Sequence, residues 1–396
     1  MFPTAWSLVR SAAVCAALGA PAAFAQWSII NIHPSAAANS NLYGVNASQQ
    51  CGQARIGSFQ HASIWSESTA SWIDMHPAAS TTTSEAFATN GTQQVGRTVI
   101  ASRNRASLWS GTAASWVDLN PPGATNSIAS ALWGNTQVGQ SNLPSVGLVA
   151  TMWNGTASSF VLLNPENSTA SEALGVAFNQ QVGRVVMDGI GHASLWFGTA
   201  SSWASLNPPG ATDGYAQSTD GSQQAGWVQL GAAAHASLWS GNAASWIDLH
   251  PSQTDNSYAL SIDQGLQAGF TITNNVSHAS FWNGSAESWV DLHALLPANY
   301  TTSSARSVWS DATSTYIAGS AFNAQTNRTE ALLWKRPVPR TCIADFNLDG
   351  GVDGSDLESF FTLWETGSPD ADVNLDGGTD GQDIEFFILK WETGAC

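Results

Sequence analysis

The sequence predicts an all-β protein, a seven-bladed β-propeller of four-stranded blades closed by its N-terminal strand, followed by a small helical tail with two calcium-type loops. Three observations carry that expectation. An Ala-Ser-x-Trp motif, or a close variant, ends at Trp65, Trp109, Trp153, Trp196, Trp239, Trp282 and Trp334, at spacings of 44, 44, 43, 43, 43 and 52 residues. A strand motif at residues 26–34 matches the end of each repeat but stands ahead of the first one, whereas the last repeat lacks it. An acidic, glycine-containing pattern then occurs twice after Cys342, at an offset of 27 residues.

A repeat of this length has room for four strands of about 5–6 residues with turns between them, which is one propeller blade. Seven residues after six of the tryptophans comes a second aromatic, at Trp72, Trp116, Phe160, Trp203, Trp246 and Trp289. A glycine recurs at Gly52, Gly96, Gly139, Gly183, Gly226, Gly269 and Gly319, with a glutamine two residues before all but the last. In the sixth repeat the strands are expected near 258–262, 266–272, 278–282 and 288–293. No helical period runs through the body, which excludes a helical solenoid. Gln26-Trp27-Ser28-Ile29-Ile30-Asn31-Ile32-His33-Pro34 then supplies the fourth strand that the last repeat lacks. Such a split repeat closes a ring and hides the sheet edges.

The ends of the chain differ from this body. Residues 1–25 read as a signal peptide: Arg10, a short apolar stretch, and Ala23-Phe24-Ala25 as the cleavage site. That stretch is too short to span a bilayer, so no membrane insertion is expected. Residues 341–396 carry 13 acidic and one basic side chain, against 16 and 10 in 26–340. The charge shift marks a boundary, giving a propeller over 26–336, a linker at 337–341 and a tail domain over 342–396. With few basic residues and no basic run, nucleic acid is not an expected partner.

Motifs such as His-Ala-Ser-Leu-Trp, Gln-Gln-Val-Gly and Trp-Val-Asp-Leu make the body similar to the HAF-type extracellular repeats of exported bacterial proteins, although Ser stands where that family has Phe. The resemblance covers 26–336. It implies a β-propeller and a secreted, extracytoplasmic or cell-surface location, and it implies no activity.

Chemistry in the body has to break the repeat, because one site needs one residue. All eight histidines obey it. His61, His192, His235 and His278 open the Trp strand, and His33, His76, His250 and His293 close the following one. They are expected to be structural hydrogen bonders, as are Asp74, Asp118, Asp248 and Asp291. Only Trp133, Trp227 and Trp309 stand off the aromatic pattern, and these three are the candidate ligand-stacking residues. No paired carboxylates, nucleophile elbow, zinc motif or phosphate loop appears, so no catalytic residue is expected. Cys51 reads as a small buried hydrophobe.

The tail pattern is Asp-x-Asn-Leu-Asp-Gly-Gly-x-Asp-Gly-x-Asp, twice. Calcium takes six to eight oxygens, which a loop with ligands at positions 1, 3, 5, 7, 9 and 12 can wrap around it. The first loop offers Asp345, Asn347, Asp349, the Gly351 carbonyl, Asp353 and Asp356. The second offers Asp372, Asn374, Asp376, the Gly378 carbonyl, Asp380 and Asp383. Two bound Ca2+ ions are expected, with a disulfide between Cys342 and Cys396 in an oxidising compartment. Asp at position 12, and no long helix before either loop, resemble dockerins. Cys342 and the closing Gly394-Ala395-Cys396 look like the GC-type dockerins of planctomycete-like exported proteins. That resemblance implies a protein or cell-surface receptor. Cohesin-binding dockerins often carry a Ser-Thr-like pair at loop positions 10 and 11, where this chain has Gly354-Ser355 and Gly381-Gln382. The functional expectation is therefore a non-enzymatic binding scaffold, anchored through the tail. A lectin-like polysaccharide-binding propeller is the alternative, and a carbohydrate-active enzyme stands behind both.

Overall fold

The computed structural model describes residues 27–47, 49–80, 82–338, 342–347, 349–374 and 376–394. The expected signal segment, part of the expected linker and Cys396 lie outside the described residues. Two compact units separate, one spanning 27–339 and the other containing the tail.

The larger unit is seven four-stranded antiparallel sheets arranged as a propeller. The first blade is Ser40–Asn46, Gln49–Ile56, Phe59–Trp65 and Ile73–Asp74, ordered from axis to rim. The ring closes as the split repeat requires. Strand β1, Ser28–Asn31, pairs with Arg328–Pro337 as the outer strand of the seventh blade, Ile29 opposite Trp334 and Asn31 opposite Leu332. The 52-residue spacing has a cause in this last blade. Its first three strands run to 11, 10 and 10 residues, and a 3-10 turn at His293–Leu295 precedes them.

The repeated residues do structural work. Trp65, Trp109, Trp153, Trp196, Trp239, Trp282 and Trp334 are almost wholly buried and wedge between blades. Trp153 of the third blade, for example, packs on Val95, Leu108 and Leu119 of the second. The second aromatic is tied to the strand beside it: the indole N–H of Trp72, Trp116, Trp203, Trp246 and Trp289 donates to Ser63, Ser107, Ser194, Ser237 and Ser280. Each of these tryptophans also ends a 3-10 turn, and this shortens the outer strand. In the sixth blade the strand expected over 288–293 is only Val290–Asp291. The repeated glutamines cap the turn after the third strand, where Gln50, Gln94 and Gln137 accept from the backbone N–H of Glu67, Gly111 and Gly155.

Histidines join blades. His76 bonds Ser84, whose hydroxyl also accepts the backbone N–H of Ala62, and His250 and His293 repeat the arrangement with Ser257 and Ser303. His61, His235 and His278 pair with Asp74, Asp248 and Asp291, each ring stacked on the histidine two residues beyond that aspartate. One blade departs from the rule and shows why it exists. Gly214 stands where the others have Ser, and Asn207 reaches in to accept the Ala193 N–H instead. A buried donor left without an acceptor costs about 1–3 kcal/mol, so some residue has to fill the role.

The tail is two loop–helix halves. Helix α1 spans Gly354–Glu365 and α2 spans Gly381–Thr393, with capping boxes from Asp353 to Asp356 and from Asp380 to Asp383. Phe360 stacks on Phe387 at 4.2 Å, inside a cluster with Phe346, Val373, Leu357, Ile384 and Ile388. The halves lock reciprocally: the Trp364 indole donates to the Asp380 carbonyl, and Trp391 to that of Asp353. Cys342 is disulfide-bonded, and Cys51 is buried and free. Burial pushes the Cys51 thiol well up, which keeps it inert.

Candidate functional site: an axial cavity, and two loops in the tail

The first strands of all seven blades surround the propeller axis and line a cavity of about 190 Å³. Each of these strands carries a β-bulge at the same place. The inserted residues are Tyr43, Phe87, Ser130, Leu174, Gln217, Leu260 and Arg306. All seven line the cavity.

The recurring glycine explains how each side chain gets there. Gly52 lies opposite Leu42, directly before the bulge, and a Cβ on it would fall on the Asn41 carbonyl oxygen. The same collision awaits a side chain at the other six glycines. A bare Cα lets the inner strand press close and throw its extra residue toward the axis. The glycine is therefore constant while the residue it serves is free to vary. The site is the place where the repeat is not repeated.

Its wall is lopsided. Arg306, Tyr43 and Phe87 come from three consecutive blades and form a cationic and aromatic arc, with the two rings 5.6 Å apart. Ser130, Leu174, Gln217 and Leu260 make the neutral remainder. Burial, reinforced by the Glu85 charge, pushes the Tyr43 hydroxyl up to about 12, so it stays protonated. Partial desolvation by the neighbouring strands lowers Arg306, whose side chain is exposed on the wall and whose guanidinium keeps its charge. Asp263, at the end of its strand, is raised by burial and accepts the Ser310 N–H at 2.7 Å. No histidine lines the cavity. The neighbouring Ser261 and Ser307 hydroxyls accept backbone N–H groups of the next blade, which makes them joints rather than nucleophiles.

The three off-pattern tryptophans do not converge. Trp133 and Trp309 lie on the cavity wall. Trp133 is 44% exposed and tilts against Phe178, itself 64% exposed. Trp227 belongs to an aromatic ladder, stacked on Tyr215 at 4.7 Å and edge-on to Tyr258. The bulge residues were not singled out by the sequence reading. Their signal is a small-x-small triplet such as Ala86-Phe87-Ala88 or Ala305-Arg306-Ser307, whose centre changes from repeat to repeat.

In the tail, the two loops share a set of hydrogen bonds. Asp345 accepts the Asp349 and Gly350 N–H groups, as Asp372 does those of Asp376 and Gly377. Asp356 and Asp383 are fully buried, each accepting two loop N–H groups. Gly350 and Gly377 have φ of 89° and 95°, a turn that suits glycine. Burial, with the charges of Asp383 and Asp376 nearby, raises the Asp372 carboxyl. The residues present fit a hard dication: four carboxylates and an amide oxygen per loop, with Lys390 the one basic side chain in the tail sequence. The carboxylates cap loop N–H groups rather than form a finished cage. Among the described residues no group of three or more His, Cys, Asp or Glu side chains is set to hold a metal ion.

No family model matches the sequence. No curated protein matches it either. Solved structures do match. A puromycin hydrolase S511A mutant complexed with PGG aligns with a TM-score of 0.53 at 9% identity, over 76% of this chain and 54% of its own. Puromycin hydrolase itself gives 0.52 at 10%, over 79% and 56%. The β-propeller domain of the Trilobed protease from Pyrococcus furiosus gives 0.50 at 8%, over 76% and 97%. The Trilobed protease domain has an open velcro topology, whereas here β1 completes the last blade. This chain spans little more than half the length of the puromycin hydrolases. At these identities the likeness establishes the propeller fold. It also corrects the functional expectation: propellers of this shape occur in hydrolase and protease chains, so a purely non-enzymatic binding scaffold, or its polysaccharide-binding alternative, does not follow from the fold. No described helix is long and apolar enough to cross a membrane.

Proposed function

We propose that this is a peptidase-type propeller, whose axial cavity admits the end of a peptide chain and orients it for hydrolytic chemistry. The observation that carries the reading is the axial ring of seven different side chains on an otherwise repeated scaffold. At about 190 Å³ the cavity is smaller than the roughly 300–1,000 Å³ of drug-sized ligand sites. It suits an extended chain end and excludes a folded one. The propeller residues bind and position; none of those lining the cavity is arranged to cleave a bond. The protease and hydrolase propellers of similar shape support the assignment to peptides.

We propose further that the tail is a dockerin-like module of the GC type, and the body a HAF-type repeat propeller of an exported protein. Asp345, Asn347, Asp349, Gly351, Asp353 and Asp356 would hold one Ca2+, and Asp372, Asn374, Asp376, Gly378, Asp380 and Asp383 the other. Bound calcium supplies positive charge that offsets the crowded carboxylates. The helices then form the docking face for a protein receptor.

The test of the axial reading fills the cavity. Leu174→Trp adds bulk on the wall without touching the inter-blade joints. A tetrapeptide library should quench the fluorescence of Trp133 and Trp309 saturably in the unaltered protein, and the variant should bind at least about tenfold more weakly at an unchanged melting temperature. Equal binding by both proteins would place the peptide elsewhere.

A further inference from the structure

We propose that Arg306 makes the axial cavity a carboxylate site, so that the chain end it takes is a free C-terminus; this rests on the peptide reading above. Most described basic residues of the body are engaged by a carboxylate or a ring; the exposed Arg55 and Arg103 are not, and neither is Arg306, which unlike those two lines the cavity. Arg97 pairs with Glu85, Arg105 with Asp118, Arg184 with Asp213, Arg328 with Glu330 and Lys335 with Glu67. Arg336 is stacked over Trp27 and Phe281. Among the described residues Arg306 has no carboxylate partner, although the body has 16 acidic residues to offer.

Arg306 is solvent-exposed on the cavity wall with no counter-charge, so its guanidinium is open to an arriving anion. Its planar fork matches a carboxylate with two parallel hydrogen bonds. The bulge sets it on the cavity wall, at the one of seven equivalent positions that is charged. Tyr43 and Phe87 beside it offer ring faces to an apolar side chain next to the carboxylate. The opposite bulge residues Ser130, Leu174, Gln217 and Leu260 are uncharged and suit a peptide backbone. Asp263, the carboxylate on this wall, is engaged by the Ser310 N–H at its strand end. The ligand class is thus a carboxylate on a narrow, otherwise uncharged chain, with an apolar group beside it.

The experiment titrates the full chain with a tetrapeptide ending in a free Phe carboxylate, with the same peptide amidated, and with hippurate. The free acid should bind about tenfold more tightly than the amide. Arg306→Gln should remove that preference while leaving the melting temperature unchanged or raised, and Arg306→Lys should restore part of it. Free and amidated peptides binding equally would overturn the carboxylate site and leave the peptide reading standing. Hippurate binding that depends on Arg306, with no peptide bound, would keep the carboxylate site and remove the peptide reading. No binding by any of the three overturns both.

Discussion

Deleting residues 27–34 should open the ring and lower the melting temperature by at least about 10 °C, with aggregation of the opened form. This strand supplies more than its own hydrogen bonds. Ile32 is fully buried against Leu42, Leu333 and Trp65 of the first and last blades, and burying such a side chain contributes about 1.5–3 kcal/mol. Ile29 and Trp27 pack on the neighbouring core around Phe281 and Trp334. Without β1, strand Arg328–Pro337 becomes a bare edge of ten residues, a template for pairing with another chain. At about 2–4 °C per kcal/mol for a domain of this order, the loss is readily measured.

The closure has a polar latch, and it should titrate. Glu330 is 1% exposed and accepts from Asn31 on β1 at 2.8 Å, from Tyr300 at 2.7 Å, and from Asn323, Thr326 and Arg328. Burial alone would raise its carboxyl. The bonds from Tyr300, Arg328, Asn323 and Thr326 outweigh burial and hold it at about 2. The carboxylate therefore contributes stability that is complete above its ordinary 4.5 and is lost as pH falls toward about 2. A shift of that size corresponds to about 3 kcal/mol. Glu330→Ala should lose a similar amount at neutral pH, because Asn31, Tyr300 and Asn323 would be left with unpaired donors. A variant as stable as the parent at pH 7, with the same acid profile, would remove the latch.

The second large effect belongs to the tail. Chelating calcium from the full chain should reduce the 222 nm helical signal, whose α-helical contributors among the described residues are α1 and α2, and should shift the fluorescence of Trp364 and Trp391. Four carboxylates per 12-residue loop repel one another without a cation, and a unit of this size has little core to spare. A ligand present at 100 times its Kd stabilises by about 2.7 kcal/mol, enough to decide whether such a unit stays folded. Asp345→Ala with Asp372→Ala should mimic the chelator, since position 1 of each loop is removed. The propeller transition should not move. Identical spectra with chelator and with calcium would mean that the loops hold themselves through their own N–H bonds and need no ion.

The fold was legible because the ring writes each structural demand seven times. Wedge tryptophans, capping glutamines and close-approach glycines recur at fixed spacing, and the stray strand at residues 27–34 announced the closure. The outer strands were overestimated because Trp289 and its equivalents look like strand residues, when each ends a 3-10 turn. Trp227 looked free because it breaks the aromatic pattern, yet Tyr215 and Tyr258 occupy its faces. The axial site was illegible for the opposite reason. Its residues vary by position, and only the small neighbours around residues such as Phe87 or Arg306 mark the bulge. Absent catalytic motifs suggested a non-enzymatic scaffold, whereas propellers of this shape occur in hydrolase chains, so the fold does not carry that restriction.

The central claim is that the non-repeating axial ring is the site, and cross-link mapping tests it most directly. A tetrapeptide with a free C-terminus and a benzophenone side chain should be photolysed on the full chain, and its adducts located by peptide mass spectrometry. The account predicts adducts on the inner strands Ser40–Asn46, Ser84–Thr89, Asn126–Trp133 and Tyr300–Ser310, suppressed by excess unlabelled free acid. Adducts confined to the outer strands, the histidine joints or the tail would contradict it.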